Sequence, residues 1–328
     1  MLLFRIDNTG PGRKPDWYGG NTPQIRWAGK SDSRQSESMD IVRELDSRYS
    51  DTPSLYDFND VDRYISSFRN TFPRGARPSS RAAFLFSWNG EPLFKKDFER
   101  VLLDTDQLLG ETQGSFFCGK KFSAADVAWA PFLERYAAQL PCLHEGLDPR
   151  DERKYPNLVS WYKAMDEIPS YICRVKGNNS SWRKVLRMAG FGNSGTPPAI
   201  SSRMDDADSF DIASAIAYDS EEIWSKYSKI RPFVASSASA EAASILVANR
   251  KAIELDLSKN ANLKLKNLES DKLDETLRSL AHVLITGDDT IIMSNEYVKE
   301  LATFLDTRMC VPRDMGSLSA AAIKRLGA

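Results

Sequence analysis

Phe122 to Leu140, "FSAADVAWAPFLERYAAQL", decides how the rest of the chain reads. Its apolar residues recur at helical spacing. Ser123 stands as the N-cap, Asp126 sits at the third helical position where its carboxylate reaches back, and Phe122 pairs with Val127 as a hydrophobic staple. A start specified in three ways marks a helix whose approach angle matters. Pro131 lies inside the pattern, which allows a kink or an early end.

Working outward, the neighbours are helical too. Phe94, Phe98, Val101, Leu102 and Leu109 form one stripe on a helix that begins near Glu91-Pro92, since proline is tolerated in a first turn. "YPNLVSWYKAMDEIPSY", Tyr155 to Tyr171, is a further amphipathic helix with Leu158, Trp161, Tyr162 and Met165 on one face. Between Gly190 and Asp208 the composition turns to Gly, Pro, Ser and acids, the mark of a linker. Beyond it lie helices over roughly Glu221–Lys229, Ala238–Leu255, Leu273–Thr286, Asn295–Met309 and Ser317–Leu326. Leu277, Leu280, Ala281 and Leu284 make one clean stripe, and Tyr297, Leu301, Phe304 and Leu305 another.

The first fifty residues differ. "LLFRID", Leu2 to Asp7, alternates like a strand, and "TPQIRWAG", Thr22 to Gly29, reads as a second strand that starts at a proline. A helix then opens at Glu37-Ser38, with Ile41, Val42, Leu45 and Tyr49 at helical spacing. Two readings of that opening stay open. Ser38 caps the first turn while the acid suits the helix dipole, or the exposed amides and hydroxyl hold a foreign carboxylate. Strand, loop, strand, loop and helix make half of a small α/β domain, too little to bury a sheet on both faces.

Bulk composition narrows the function classes. A chain of 328 residues supports about two domains, and 41% hydrophobic with 27% charged residues is ordinary for a soluble globular protein. With 44 basic against 45 acidic residues, it lacks the positive excess of a nucleic-acid binder. No apolar run approaches a membrane span. Cys118, Cys142, Cys173 and Cys310 lie far apart, so they read as reduced and intracellular, and His144 beside Cys142 does not make a metal site. Met1 leads straight into a strand pattern with no targeting leader, so the chain is expected to begin inside a domain or to have something upstream.

This order of parts resembles a cytosolic-type glutathione transferase. Thr22-Pro23 looks like the family's strand-initiating cis-proline position, and Glu37-Ser38 like its acid–serine pair at a helix start. "FSAAD", Phe122 to Asp126, matches its N-capping box and staple, and Tyr155 to Tyr171 its following helix. The resemblance covers Met1 to about Gly190. The tail, with "CVPRDMG" at Cys310 to Gly316, is similar to extensions on transferase-like proteins of algae, plants and cyanobacteria.

The resemblance implies a mainly α fold in three parts. These are a partial thioredoxin-like α/β unit over 1–50, an all-α transferase C-terminal domain over 55–190, and an α-helical extension over 205–328. It implies that Thr22 offers its backbone to glutathione and that Pro23 starts the strand. It also implies that Ser38 grips the γ-glutamyl carboxylate while Glu37 faces the ammonium group. Trp88, Trp129, Arg135 and Tyr136 would line the cleft for an electrophile, although core packing explains the aromatic residues equally well. Glutathione is then a co-substrate and no other cofactor or metal is needed. The partners are glutathione and a small electrophile, with neither nucleic acid nor membrane, and the resemblance leaves room for a homodimer. The expected compartment is the cytoplasm or a plastid. Two functions follow: conjugation of glutathione to an electrophile or exchange of its mixed disulfides, and, as the alternative, a non-catalytic binding or scaffold protein.

The departures are as informative. The family's first strand and helix carry the catalytic Tyr, Ser or Cys, and no part of this sequence corresponds to them, so the catalytic residue is unknown. The loop before Thr22 is shorter than usual, which leaves Lys14 and Trp17 as candidates for the glycyl end. Cys118, among Phe116, Phe117 and Phe122, reads as buried rather than reactive. The basic residues around Trp182 read as a solvated helix face rather than an RNA patch, and Arg313-Asp314 as a local ion pair.

Overall fold

The fold is that of a computed structural model, described for residues 17–19, 23–27, 34–73, 85–191, 194–213, 220–288, 290 and 295–327. The strand expected over Leu2 to Asp7, together with Lys14 and Thr22, lies outside the described residues. The described residues are mostly helical, as expected for the fold class. The chain divides into two compact units, Met1–Phe72 with Asp104–Pro131 and Pro73–Leu103 with Phe132–Ala328.

In the first unit, β1 (Ile25–Arg26) and β2 (Arg34–Gln35) pair antiparallel, with Ile25 opposite Gln35. Trp27 follows β1 and is buried; its indole N–H donates to Gln35 Oε1 at 3.0 Å, and the Arg48 guanidinium lies 4.2 Å over its ring. Arg48 ends α1 (Ser38–Arg48), so one indole ties the hairpin to the helix. α2 (Val61–Thr71) follows a loop pinned by Asp46, which accepts from Leu55 N–H at 2.7 Å and from the Ser54 hydroxyl at 2.8 Å.

α3 (Lys95–Gly110) starts later than its stripe implies. Ser87 N–H bonds Glu91 O at 2.9 Å and Leu93 N–H bonds Leu85 O at 3.0 Å, which places Pro92 in a bridge with Phe86. Those backbone groups are spent on the bridge, so Phe94 precedes the helix and is 73% exposed. Phe98, Val101, Leu102 and Leu109 keep the buried stripe. α4 (Ala124–Leu143) runs on through Pro131 without ending.

α5 (Pro156–Asp166) stops short of Tyr171, because Pro169 disfavours helix at the residue before it. A π-helical turn, Tyr171–Val175, follows and buries Tyr171, Ile172 and Cys173. α6 (Asn179–Ala189) is capped by Asn178, whose side chain accepts from Ser181 N–H at 2.7 Å. The stretch expected as a linker then forms α7 (Pro198–Ala213). It buries Ile200 and Met204, and its acids tie it to α6: Arg183 of α6, 4% exposed, pairs with Asp208 at 2.7 Å and with Asp211, and Arg187 pairs with Asp205.

The tail packs on its own core. α8 (Ser220–Ser228) buries Trp224 and Tyr227 with Cys173 of the π turn. α9 (Ala238–Asn260), the short α10 (Leu263–Lys266), α11 (Ser270–Thr286), α12 (Tyr297–Arg308) and α13 (Ser317–Gly327) enclose one cluster. Leu277, Leu280, Leu284, Leu301 and Leu305 are buried in it. The "CVPRDMG" segment leads into α13, and Gly316 sits so close to the π turn that a Cβ there would meet Cys173 O at 2.0 Å.

Candidate functional site

The start of α1 is built as an open end. Glu37 is the residue that caps it, extended at φ −82° and ψ 122°, and its side chain makes no capping bond. Ser38 is therefore the first helical residue and not the cap. Ile41 N–H reaches Glu37 O at 2.9 Å and begins the helical ladder. The amides before it have no intrahelical partner, as at any helix start. Both Glu37 and Ser38 are exposed, so an acid, a hydroxyl and first-turn amides face outward together. Beneath them the turn is held: Tyr56 Oη–H donates to Met39 O at 3.1 Å, and Arg43 lies 4.0 Å over the Tyr56 ring while pairing with Asp62. Burial raises the Tyr56 hydroxyl above its ordinary pKa, so it remains a donor at neutral pH.

Pro23 is exposed just ahead of β1, where the Gln24 side chain accepts from Gly19 N–H at 2.8 Å. Trp17 is half-buried, with its ring 5.8 Å from that of Tyr18.

The start of α4 is the opposite case. Ser123 and Asp126 have no exposed surface. Asp126 Oδ2 accepts from Ser123 N–H and from the Ser123 hydroxyl, both at 2.8 Å, and Oδ1 accepts from Phe117 N–H at 3.2 Å. This box also fixes the loop before the helix.

The residues read as a cleft for an electrophile are placed differently from one another. Trp129 is fully buried in the first unit, stacked on Phe117 at 4.8 Å, edge-on to Phe68 at 5.4 Å, with its indole N–H on Tyr64 O at 3.0 Å. Tyr136 is fully buried in the second unit, edge-on to Phe98 at 5.7 Å. Neither has surface to offer a second substrate. Trp88 is 73% exposed. Arg135 is half-buried with its guanidinium 4.6 Å over Trp182.

Two features escaped the sequence. One is Glu134, whose carboxylate in the middle of α4 accepts from the Trp182 indole at 2.8 Å, from the Tyr171 hydroxyl at 3.2 Å, and from Gly177 N–H. Burial raises its pKa against the pull of those donors. The other is the Arg183–Asp208–Asp211 cluster, whose matched helical spacings were the available signal. It buries Arg183, one of the basic residues around Trp182 that the sequence places on a solvated face. Arg313 and Asp314 do form a local pair, at 2.7 and 2.8 Å.

All four thiols are pushed up by burial. Cys118 is raised despite a hydrogen bond with Ser123, Cys173 reaches about 11, and Cys142 and Cys310 are raised as well. Each is protonated at neutral pH, which disfavours nucleophilic attack. Among the described residues no group of acids, histidines and cysteines is arranged to hold a metal, and no helix is long and apolar enough to cross a membrane.

Residues 92–164 match the profile of the glutathione S-transferase C-terminal domain. A chloroplastic glutathione S-transferase L2 of Arabidopsis thaliana is 30% identical over 140 residues, which is 41% of this chain and 43% of that protein. The chain thus spans less than half the length of the relative it matches. No solved structure matches it significantly.

Proposed function

We propose that the chain is a glutathione S-transferase family protein that binds glutathione as a co-substrate at the start of α1, a reading supported by the match of residues 92–164 to the C-terminal domain profile. The observation that carries this reading is the outward-facing Glu37-Ser38 pair with no side-chain cap. First-turn amides and a hydroxyl suit the γ-glutamyl carboxylate, and the Glu37 carboxylate suits the ammonium group beside it. Thr22 and Pro23 would pair the cysteinyl backbone as an added strand. The chemistry is transfer of the glutathione thiolate to a small electrophile, or exchange of a mixed disulfide. In compartment we favour the cytoplasm or a plastid, the latter in line with the chloroplastic relative.

A second reading, a non-catalytic binding or scaffold protein with the transferase fold, is favoured by the raised thiols and by the burial of Trp129 and Tyr136. Calorimetric titration of glutathione into the chain, followed by an assay with an aryl halide and a mixed disulfide, separates them. Saturable binding with turnover supports the enzyme; binding without turnover supports the second reading. No binding sinks the glutathione site.

A further inference from the structure

We propose that Tyr56 is a positioning residue for the start of α1: its hydroxyl, carried by a loop tied to two helices, fixes the first turn that meets the γ-glutamyl group. The inference rests on the glutathione reading above. It adds to that reading a residue that acts through the helix and not through the ligand.

One side of α1 is tied to that loop at both ends. Residues 39, 43 and 46 recur at helical spacing, and each of them meets it. Tyr56 Oη–H donates to Met39 O at 3.1 Å, and the Arg43 guanidinium lies 4.0 Å over the Tyr56 ring. Asp46 accepts from Leu55 N–H at 2.7 Å and from the Ser54 hydroxyl at 2.8 Å. Tyr56 N–H bonds Ser54 Oγ at 3.1 Å, so the loop also holds itself. Met39 and Asp46 stand about two turns apart, roughly 10 Å along the axis. Two anchors at that separation fix the direction of a helix, whereas one leaves it free to pivot.

A third anchor reaches the other helix start. Leu55 O accepts from Ala124 N–H at 2.8 Å. Ala124 opens α4, and its amide is one of the first-turn donors that a helix cannot satisfy from within. That start is closed by the buried Ser123 and Asp126, so Leu55 hangs on a fixed point. Support thus runs from the α4 box through Leu55 and Tyr56 to Met39, the residue after Ser38. All of it lies in the first unit. Of these ties, the Tyr56 hydroxyl is the one at the first turn of α1, while Asp46 secures the far end. Amides held in place before a ligand arrives cost less to order when it binds.

The test uses the full chain and Tyr56→Phe, which keeps the ring beneath Arg43 and removes only the hydroxyl. Calorimetric titration should show glutathione binding about threefold more weakly, as expected for one neutral hydrogen bond lost behind the site. A melting temperature well above that of the titration shows that the variant is folded. The deciding readout is coupling. Ser38→Ala, worth about tenfold in the native chain, should cost only about threefold in the Tyr56→Phe background, because a misplaced turn has less binding to lose. Hydrogen exchange without ligand should quicken at residues 41–43 more than at residues 45–48, which Asp46 holds. If the native chain binds no glutathione, this inference falls together with the reading beneath it. If the native chain binds and Tyr56→Phe binds equally, the positioning role alone is wrong and the glutathione site stands. If Tyr56→Phe weakens binding while Ser38→Ala keeps its full effect, the hydroxyl serves stability and the proposal fails. Exchange that quickens evenly along α1 overturns it as well.

Discussion

Two helices of the first unit start with an acid and a hydroxyl, and they use them in opposite ways. At α4 the pair is Ser123 and Asp126, fully buried, with three donors converging on one carboxylate. At α1 it is Glu37 and Ser38, both exposed, with no side-chain cap at all. Residue type does not separate them. Burial does. A buried carboxylate must be satisfied within the chain, because water cannot serve it. An exposed one is satisfied by solvent and stays exchangeable for a ligand. The first start is closed on itself, and the second is open to solvent.

The largest effect should come from breaking the closed start. Asp126→Ala strands the buried N–H groups of Ser123 and Phe117. Each such donor costs about 1–3 kcal/mol, so the loss is on the order of 4 kcal/mol. Urea denaturation checks it by the drop in midpoint at constant slope. A loss below about 1 kcal/mol would mean that the box is decoration and the contrast with α1 is empty.

Glu134 sharpens the comparison, since it is a second satisfied acid on the same helix. Glu134→Ala strands the Trp182 and Gly177 N–H groups and should cost about 2–4 kcal/mol. Glu134→Gln should be nearly silent, because one amide oxygen accepts those two while the NH₂ donates to the Tyr171 hydroxyl. Its pH signature is distinctive. Burial raises the folded-state pKa above the ordinary value of 4.5, so the folded chain holds the proton more tightly than the unfolded one. The resulting stabilisation is complete below that ordinary value and is lost as pH rises through the folded value. The Gln chain should therefore gain on the native one over that window, followed by thermal melts from acid to neutral pH. Parallel curves for the two would remove Glu134 as a titrating group.

The same contrast explains what the sequence disclosed. Asp126 was legible because its main partner lies three residues away. The partners of Glu134 lie 37, 43 and 48 residues away, and no local pattern announces them. The tail helices were legible from apolar spacing, since Leu277, Leu280 and Leu284 recur at helical period and are buried. α7 was less so, because its buried face sets Ile200 and Met204 beside acids rather than in a run of apolar residues. Its acids at 205, 208 and 211 face Arg183 and Arg187 on α6, a match visible only when the two stretches are compared. Within the site, the acid–serine pair was legible by type, while its lack of a cap depends on backbone angles that composition does not carry. Trp129 and Tyr136 could be read either way in the sequence, because an aromatic residue reads alike in a core and in a cleft, and both are buried.

That α6–α7 seam gives a smaller effect. Arg183→Ala removes a buried guanidinium from two carboxylates that are 31% and 37% exposed, so water takes over much of their solvation. A cost of about 1–2 kcal/mol is expected. Arg187→Ala, on an exposed pair, should cost under about 1 kcal/mol. Equal costs would show that burial of the arginine is not what matters here.

The smallest effect on stability belongs to the open start. Ser38 is a first-turn residue rather than a cap, so Ser38→Ala should change stability by no more than about 0.5 kcal/mol, against about 1 kcal/mol for loss of a real serine cap. Its effect on glutathione should be larger. Losing a hydrogen bond to a charged partner removes about 1.5–3 kcal/mol, which is roughly tenfold or more in dissociation constant. Glu37→Gln should also weaken glutathione, by removing the charge proposed to face the ammonium, and should leave the melting temperature alone. Calorimetry and thermal melts on the same samples separate the two quantities. If both substitutions leave affinity unchanged in a chain that binds glutathione, ligand and helix start are unconnected. If Ser38→Ala instead costs a full kilocalorie of stability, the hydroxyl caps α1 in solution, and the two helix starts are alike after all.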